Sequence, residues 1–253
     1  MVNIIACNLG SYGRYRAVAY EHLRAIGLTN VEIPVPAPDA LQGVLDDLDR
    51  YGLKVTSVLG KCDLSNPACV EGLKPQAEAA TRLGAKIVFL SVKTNGIPLS
   101  EAYERLRGVG EVMAAAGLTA ALETHPDLIQ NASVALETMR AVDHPCVRVN
   151  FDTANIYYYN EGCTAVEELR KIAPYVVSVH LKDTNGGYRA HHFPTLGQGV
   201  VDYPEVFRIL NGQGMYGPFT LELEGIAGEQ LSEEQQKARV ADSFAYLKQI
   251  GAA

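Results

Sequence analysis

The amino-acid sequence predicts an α/β protein, a single (β/α)₈ barrel over residues 1–253, and three observations predict it. Eight apolar, strand-like runs alternate with amphipathic helical stretches, one pair every ~25–40 residues, and strict alternation of this kind implies a parallel sheet. The chain has 253 residues, 47% of them hydrophobic, which is the length eight such units need and enough to bury one large core. The turn after the first apolar run, Asn8-Leu9-Gly10-Ser11-Tyr12-Gly13, lacks the G-x-G-x-x-G spacing of a doubly wound sheet, and no G-x-x-x-x-G-K-[ST] occurs anywhere.

Residues 2–8 form the first strand, followed by an amphipathic helix from about Tyr12 to Ile26 that Gly27 stops. Asn30–Pro34 is the second strand, and Asp39–Tyr51 a helix with Asp39 as N-cap and Gly52 as its stop. Leu53–Leu59 is the third strand. Its helix runs from about Asn66 to Leu83, with Pro67 at the first helical position and Gly84 as stop. Ala85–Val92 is the fourth strand, before a helix over Ser100–Ala116 that Ser100 caps and Gly117 ends. The fifth unit is Leu118–Thr124 with Ser133–Val142, and the sixth is Cys146–Phe151 with Cys163–Ile172. The seventh strand, Tyr175–Lys182, leads through a long Gly-rich connection, Thr184–Val201, to a helix at Tyr203–Leu210. Phe219–Glu224 and Ser232–Ile250 complete the set.

Composition narrows the function. The net charge is −7 with no Lys/Arg run, which argues against nucleic acid or an anionic membrane as a partner. No apolar run approaches the ~20 residues that span a bilayer, and the N-terminus lacks the basic region of a signal peptide. Cys7, Cys62, Cys69, Cys146 and Cys163 are odd in number and contain no C-x-x-C pair, so they read as reduced thiols of a cytoplasmic protein.

Barrels of this architecture place their reactive groups at the C-terminal ends of the strands. The fifth strand ends A-L-E-T-H, with Glu123 and His125 on one face. The sixth reads V-R-V-N-F-D, turning Arg148, Asn150 and Asp152 inward while Val147, Val149 and Phe151 face the helices. The seventh, V-V-S-V-H-L-K-D, delivers His180 and Lys182, and the eighth, F-T-L-E-L-E, delivers Glu222 and Glu224. Glu123, Asp152, His180 and Glu222 would therefore converge on one mouth. Carboxylates packed together repel and lose hydration, and such a group persists around a cation or with some members protonated. Three hard oxygen ligands and one imidazole suit a single Mn²⁺, Mg²⁺ or Co²⁺ ion, with Zn²⁺ also admitted. Singly, each has a plainer reading: a strand-end Glu as a salt-bridge partner, His180 as a core histidine, Asp152 as the N-cap of a turn. Four on four successive strands favour the metal.

The segments A-L-E-T-H-P-D, V-N-F-D-T-A-N, V-H-L-K-D, F-P-T-L-G-Q-G-V-V-D-Y and G-P-F-T-L-E-L-E resemble those of the sugar phosphate isomerase/epimerase superfamily. That is the xylose isomerase-like TIM barrel group, with its ketose 3-epimerases, inosose dehydratases and endonuclease IV. The resemblance covers the whole chain and implies that the four residues bind one divalent metal. In the ketose 3-epimerases the first and last glutamates also exchange the substrate proton, which implies Glu123 and Glu222 as catalytic residues. Glu222 is preferred to Glu224 because it stands five residues after Gly217. The chain departs from the 3-epimerase pattern at Asn155, where a substrate-binding His is usual, and at Thr124-His125, where Pro usually follows the glutamate. No His lies between His22 and His125, which argues against the trinuclear zinc nuclease branch. The resemblance also implies dimers or tetramers.

The expected activity is metal-dependent isomerisation or epimerisation of a ketose, keto-sugar or polyol, by proton abstraction next to a carbonyl through an enediolate. Loss of a β-hydroxyl would make it a dehydratase, and a non-catalytic sugar- or metal-binding barrel is the alternative from another class. His125, Asn155, Lys182, Arg189 and Glu224 are the expected substrate contacts, Lys182 having an equal reading as counter-charge to Asp152 or Glu224. Arg189, His191 and His192 lie on the seventh connection, a candidate specificity loop, where the two histidines read as surface residues. Asn8, Glu32, Lys61 and Lys93 stand near early strand ends as further substrate-reading candidates. Gly197-Gln198-Gly199 is Gly-rich but not a phosphate loop.

Overall fold

The structure, a computed structural model, describes residues 1–253. Seven parallel strands follow one another around a closed barrel: β1 (Ile5–Asn8), β2 (Asn30–Pro34), β3 (Lys54–Leu59), β4 (Ile87–Leu90), β5 (Thr119–Glu123), β6 (Val147–Asp152) and β7 (Val176–Leu181). The eighth, β9 (Phe219–Leu221), pairs with β7 and back onto β1, with Ile5 opposite Phe219. The connecting helices are α1 (Ala19–Ile26), α2 (Leu41–Tyr51), α3 (Cys69–Arg82), α4 (Leu99–Ala115), α5 (Ala132–Val142), α7 (Ala165–Ile172), α8 (Tyr203–Gly212) and α9 (Glu233–Gln249). No helix is long and apolar enough to cross a membrane.

Alternation along each strand sorts the residues. Val149, Phe151, Val179, Leu181, Phe219 and Leu221 are buried in the core formed with the helices. Residues paired between parallel strands share a face, so Glu123 opposite Asn150, Asp152 opposite His180 and His180 opposite Thr220 all point into the barrel. Lower down, the same face carries Arg148, half-buried at the start of β6, whose Nη1 donates to the carbonyls of His144 and Val147 rather than reaching the mouth.

Helix ends account for most differences from expectation. The helix expected from Tyr12 begins as a 3₁₀ segment over Leu9–Val18 and becomes α-helical only at Ala19, because Gly13 (φ 53°, ψ −125°) interrupts it. Asp39 and Ser100 do not cap: α2 follows Ala40 and α4 follows Pro98, neither with a side-chain cap. Asn66 closes a local turn, accepting from the Ala68 amide at 2.9 Å, so α3 starts at Cys69 instead of Pro67. The working caps are Asn131, Thr164, Asp202 and Ser232, the last in a capping box with Gln235. Gly27 and Gly52 stop α1 and α2 in the left-handed conformation, as their positions predict.

Two small elements escape the sequence pattern and both bear on the mouth. A one-turn helix, α6 (Asn155–Tyr159), follows β6 directly. Inside the long seventh connection, β8 (His192–Phe193) pairs antiparallel with β10 (Gly225–Ile226), a two-stranded ribbon outside the barrel sheet. All five cysteines are free; Cys7 and Cys69 are buried and the other three partly covered.

Candidate metal centre and active site

Each of the four candidate side chains is delivered by a strand end. Glu123 closes β5, Asp152 closes β6, His180 is the penultimate residue of β7, and Glu222 follows β9, where its amide donates to the Leu181 carbonyl at 3.1 Å. One ligand atom from each of Glu123, Asp152, His180 and Glu222 lies within 4.8 Å of every other. His180 Nδ1 is 3.1 Å from Glu222 Oε2 and 4.0 Å from Glu123 Oε1.

The donor set fits a divalent cation for a reason internal to the structure. His180 Nδ1 and Asp152 Oδ2 are buried and face the cluster, where they meet only its own charged members, Glu222 Oε2 at 3.1 Å and Lys182 Nζ at 2.9 Å. The remaining atoms of these side chains are already committed. Asp152 Oδ1 accepts from the amides of Ala154 (2.9 Å) and Asn155 (2.8 Å), so the N-cap role and the inward-facing oxygen coexist in one carboxylate. His180 Nε2 lies 3.0 Å from Glu32 Oε1, and Glu32 also accepts from Asn8 Nδ2 (2.9 Å) and Ser57 Oγ (2.6 Å). Glu32 is 1% exposed. An imidazole whose Nε2–H donates to a carboxylate presents its Nδ1 lone pair to the site, the arrangement that orients histidine ligands. Phe89 stacks on the same ring, centroids 4.7 Å apart.

The charges push the ionisable groups apart. Burial, reinforced by Glu222, raises the Glu123 carboxyl to about 8. Burial also raises Asp152, to about 6, against the pull of Lys182. Burial acts upward on Glu222 too, but His180 and Lys182 outweigh it and hold that carboxyl well below its ordinary value. Burial disfavours a charged His180, yet Glu222 and Glu32 overcome it and raise its pKa well above normal. In the metal-free mouth the two glutamates thus differ sharply in proton affinity, Glu123 holding its proton far more tightly than Glu222.

Lys182 occupies the counter-charge position. Its ammonium, 2% exposed, lies 2.9 Å from Asp152 Oδ2, 2.8 Å from Glu222 Oε2 and 2.9 Å from Glu224 Oε2. Burial opposes this charge, and the surrounding carboxylates, Asp152 foremost, raise its pKa well above normal. Asn155 Nδ2 donates to the Thr124 carbonyl at 3.1 Å and to Glu123 Oε1 at 3.4 Å, bracing Glu123 from the start of α6. His125 Nδ1 is 2.6 Å from Ser91 Oγ and 3.3 Å from Glu123 Oε2; burial, with Lys93, lowers its pKa to about 4.

Above the cluster opens a cavity of roughly 290 Å³ bordered by Glu123, His125, Asn155, Lys182, Glu222 and Glu224, with aromatic walls from Phe89, Tyr158, Tyr159 and Phe193. His191 borders it as well, carried there by the β8–β10 ribbon and edge-on to Phe193. Arg189 is exposed, its Nε donating to the Tyr188 hydroxyl at 3.0 Å, and it does not border the cavity. His192 is half-buried in the ribbon and is also absent from the lining. Asn8 and Glu32 lie beneath the cluster as supports for His180. Lys93 is exposed at the rim near His125, and Lys61 borders a different groove of about 500 Å³ with Pro34, Pro36, Leu59 and Pro75. That groove is larger, but no set of ligand atoms converges in it. A buried Glu between two apolar neighbours, as in Val31-Glu32-Ile33, was the available signal for the support beneath His180. The tyrosines of α6 offered none beyond their proximity to Asp152.

Over 112 residues the chain is 30% identical to L-ribulose-5-phosphate 3-epimerase UlaE of Salmonella typhi, a match covering 44% of this chain and 38% of that protein. Over 124 residues it is 26% identical to 3-dehydroshikimate dehydratase of Bacillus anthracis, covering 43% and 44% respectively. The chain thus spans less than half the length of these curated relatives. Among solved structures, a xylose isomerase domain protein from Planctomyces limnophilus superposes with a TM-score of 0.79 at 22% identity, over 99% of this chain and 98% of that one. This likeness is one of fold. The family model for the xylose isomerase-like TIM barrel matches residues 20–250, and the chain belongs to that family.

Proposed function

We propose that the chain is a divalent-metal-dependent sugar isomerase or epimerase that moves a proton on the carbon beside a carbonyl. The observation that carries this reading is the single mouth at which Glu123, Asp152, His180 and Glu222 converge within 4.8 Å while Glu123 and Glu222 also border the cavity. A divalent cation held by these four supplies Lewis acidity toward a carbonyl and its neighbouring hydroxyl, which makes the adjoining C–H acidic.

The chain's own groups do the rest. Glu123, ionised once the site is loaded, removes the proton from the substrate carbon, with Asn155 holding its carboxylate in line. Glu222, just past β9 and 2.8 Å from the Lys182 ammonium, passes a proton from that ammonium to the far face of the carbon, and solvent carries the proton taken by Glu123 back to Lys182. This inverts the carbon and makes the reaction an epimerisation. Return on the same face, with the carbonyl shifted by one carbon, gives aldose–ketose isomerisation. Lys182 keeps Asp152 and Glu222 ionised and fixed, and His125 offers a neutral imidazole to a substrate hydroxyl. The aromatic walls shed water from the reacting carbons.

A dehydratase is the second reading, favoured by the Bacillus anthracis relative, and it differs only in the fate of the carbanion: a β-hydroxyl leaves before the proton returns. The test is solvent deuterium incorporation into ketoses by the metal-loaded chain, followed by NMR. Exchange is expected in the wild type and lower by about 10²–10⁴-fold in Glu123→Gln. Appearance of an alkene product instead of an exchanged sugar assigns the dehydratase. Exchange that survives intact in Glu123→Gln removes Glu123 from the mechanism.

A further inference from the structure

We infer that the substrate of this mouth is an uncharged sugar or polyol rather than a phosphate ester; the inference rests on reading the mouth as a sugar site and names the class of sugar. The places where a (β/α)₈ barrel ordinarily receives a phosphate are backbone amides after the late strands, and here the chain's own carboxylates fill them.

After β7, Asp183 is fully buried and accepts four backbone amides: Thr184 (2.9 Å) and Val201 (3.2 Å) on Oδ1, Gly197 and Gly199 (both 2.9 Å) on Oδ2. A Cβ at Gly199 would lie 2.2 Å from Asp183 Oδ1. The glycines of Gly197-Gln198-Gly199 therefore serve the close approach of the loop to an internal anion, and the amides are not open to an external one. After β6, the first free amides of α6 are those of Ala154 and Asn155, and Asp152 Oδ1 takes both. After β9, Glu229 accepts the Ile226 amide at 3.2 Å and pairs with Arg239 Nη2 at 2.6 and 2.7 Å, while Arg14, the other guanidinium against that loop, donates to the Leu231 carbonyl at 3.2 Å.

The cations tell the same story. Lys182 is spent on three carboxylates and is 2% exposed, so it offers no free donor to a phosphate. Lys93 and Arg189 stand outside the cavity lining. Four carboxylates (Glu123, Asp152, Glu222 and Glu224) face one ammonium, and a dication bound among them still leaves one negative charge in surplus. A phosphate dianion entering this cavity meets like charge at short range with no partner to offset it. A neutral sugar meets what it requires: the flat rings of Tyr158, Tyr159 and Phe193 for its C–H faces, and His191 and Glu224 for its hydroxyls. In this respect the chain is expected to part from the phosphate in the name of its epimerase relative.

The test compares matched pairs on the full chain loaded with Mn²⁺: free ketopentoses and ketohexoses beside their terminal phosphate esters. Calorimetry reads affinity and NMR reads deuterium exchange. Every free sugar that binds is expected to bind at least about tenfold more tightly than its ester, or ~1.4 kcal/mol. Parity, or tighter binding of the ester, overturns the inference. Preference for the free sugar without deuterium exchange into any of them leaves the inference standing and overturns the proton-transfer reading, so the two fail separately.

Discussion

Replacing Glu32 by Gln is expected to weaken divalent-metal binding although Glu32 is not itself a ligand. Three donors aim at its carboxylate: His180 Nε2, Asn8 Nδ2 and Ser57 Oγ, at 3.0, 2.9 and 2.6 Å. Gln keeps the shape but exchanges one acceptor oxygen for an NH₂ group. Whichever way the amide turns, at least one buried donor loses its acceptor, and two (Asn8 and His180) when the amide oxygen faces Ser57, at about 1–3 kcal/mol each. If the amide oxygen faces Ser57, an NH₂ faces Nε2, and the imidazole must rotate or change tautomer, which turns its Nδ1 lone pair from the cluster. Loss of such a support reduces metal affinity about 10–100-fold, or ~1.4–2.7 kcal/mol. Competition with a fluorescent chelator measures the affinity, and chemical denaturation of the metal-free proteins measures the fold separately. An unchanged metal Kd in a folded Glu32→Gln protein would refute the reasoning, because Nε2 would then have no part in aiming Nδ1.

Three further predictions follow from the same charges and contacts. Lys182→Met leaves Asp152, Glu222 and Glu224 without their buried cation, so the metal-free variant is expected to lose about 3–5 kcal/mol of stability; saturating Mn²⁺ should raise its Tm more than it raises the wild type's, and an equal rise in both contradicts the counter-charge role. Metal-free Glu123 titrates near 8 instead of its ordinary 4.5 and His180 well above 6.5, so both hold protons that the unfolded chain gives up; metal-free stability should therefore fall as pH rises from about 6 to 8, while metal affinity rises with release of protons, and Tm against pH with and without chelator reads both signs. Gly199→Ala drives a Cβ to 2.2 Å from Asp183 Oδ1 and 2.3 Å from the Thr184 carbonyl, which should cost about 1–3 kcal/mol in a denaturant titration; a neutral effect would mean the loop does not need its close approach to Asp183.

The four metal-ligand candidates were legible because a strand's period of two and a barrel's polarity are both visible in a linear sequence. V-H-L-K-D says which way His180 points before any coordinate does, and pairing of Asp152 with His180 follows from parallel strands in sequence order. Depth was not legible. Lys182 stands two residues beyond His180 on the same face, yet whether a lysine reaches toward substrate or folds back among carboxylates depends on neighbours contributed by β6 and β9. Glu32 is 148 residues from His180, and nothing local links them. Helix starts failed where two capping signals competed: Pro98 outranked Ser100, and the Asn66 side chain closed its own turn. The α6 turn and the β8–β10 ribbon are too short for any periodicity to register, and they carry three of the four aromatic walls of the cavity, Tyr158, Tyr159 and Phe193.

The most direct test of the account is a metal-edge absorption and anomalous-scattering measurement on the protein loaded with Mn²⁺ or Co²⁺. The account predicts one ion per chain at the mouth, bound by Nδ1 of His180 and by oxygens of Glu123, Asp152 and Glu222, and lost on substitution of His180. An ion located elsewhere, or a chain that retains and rebinds no divalent metal, contradicts it.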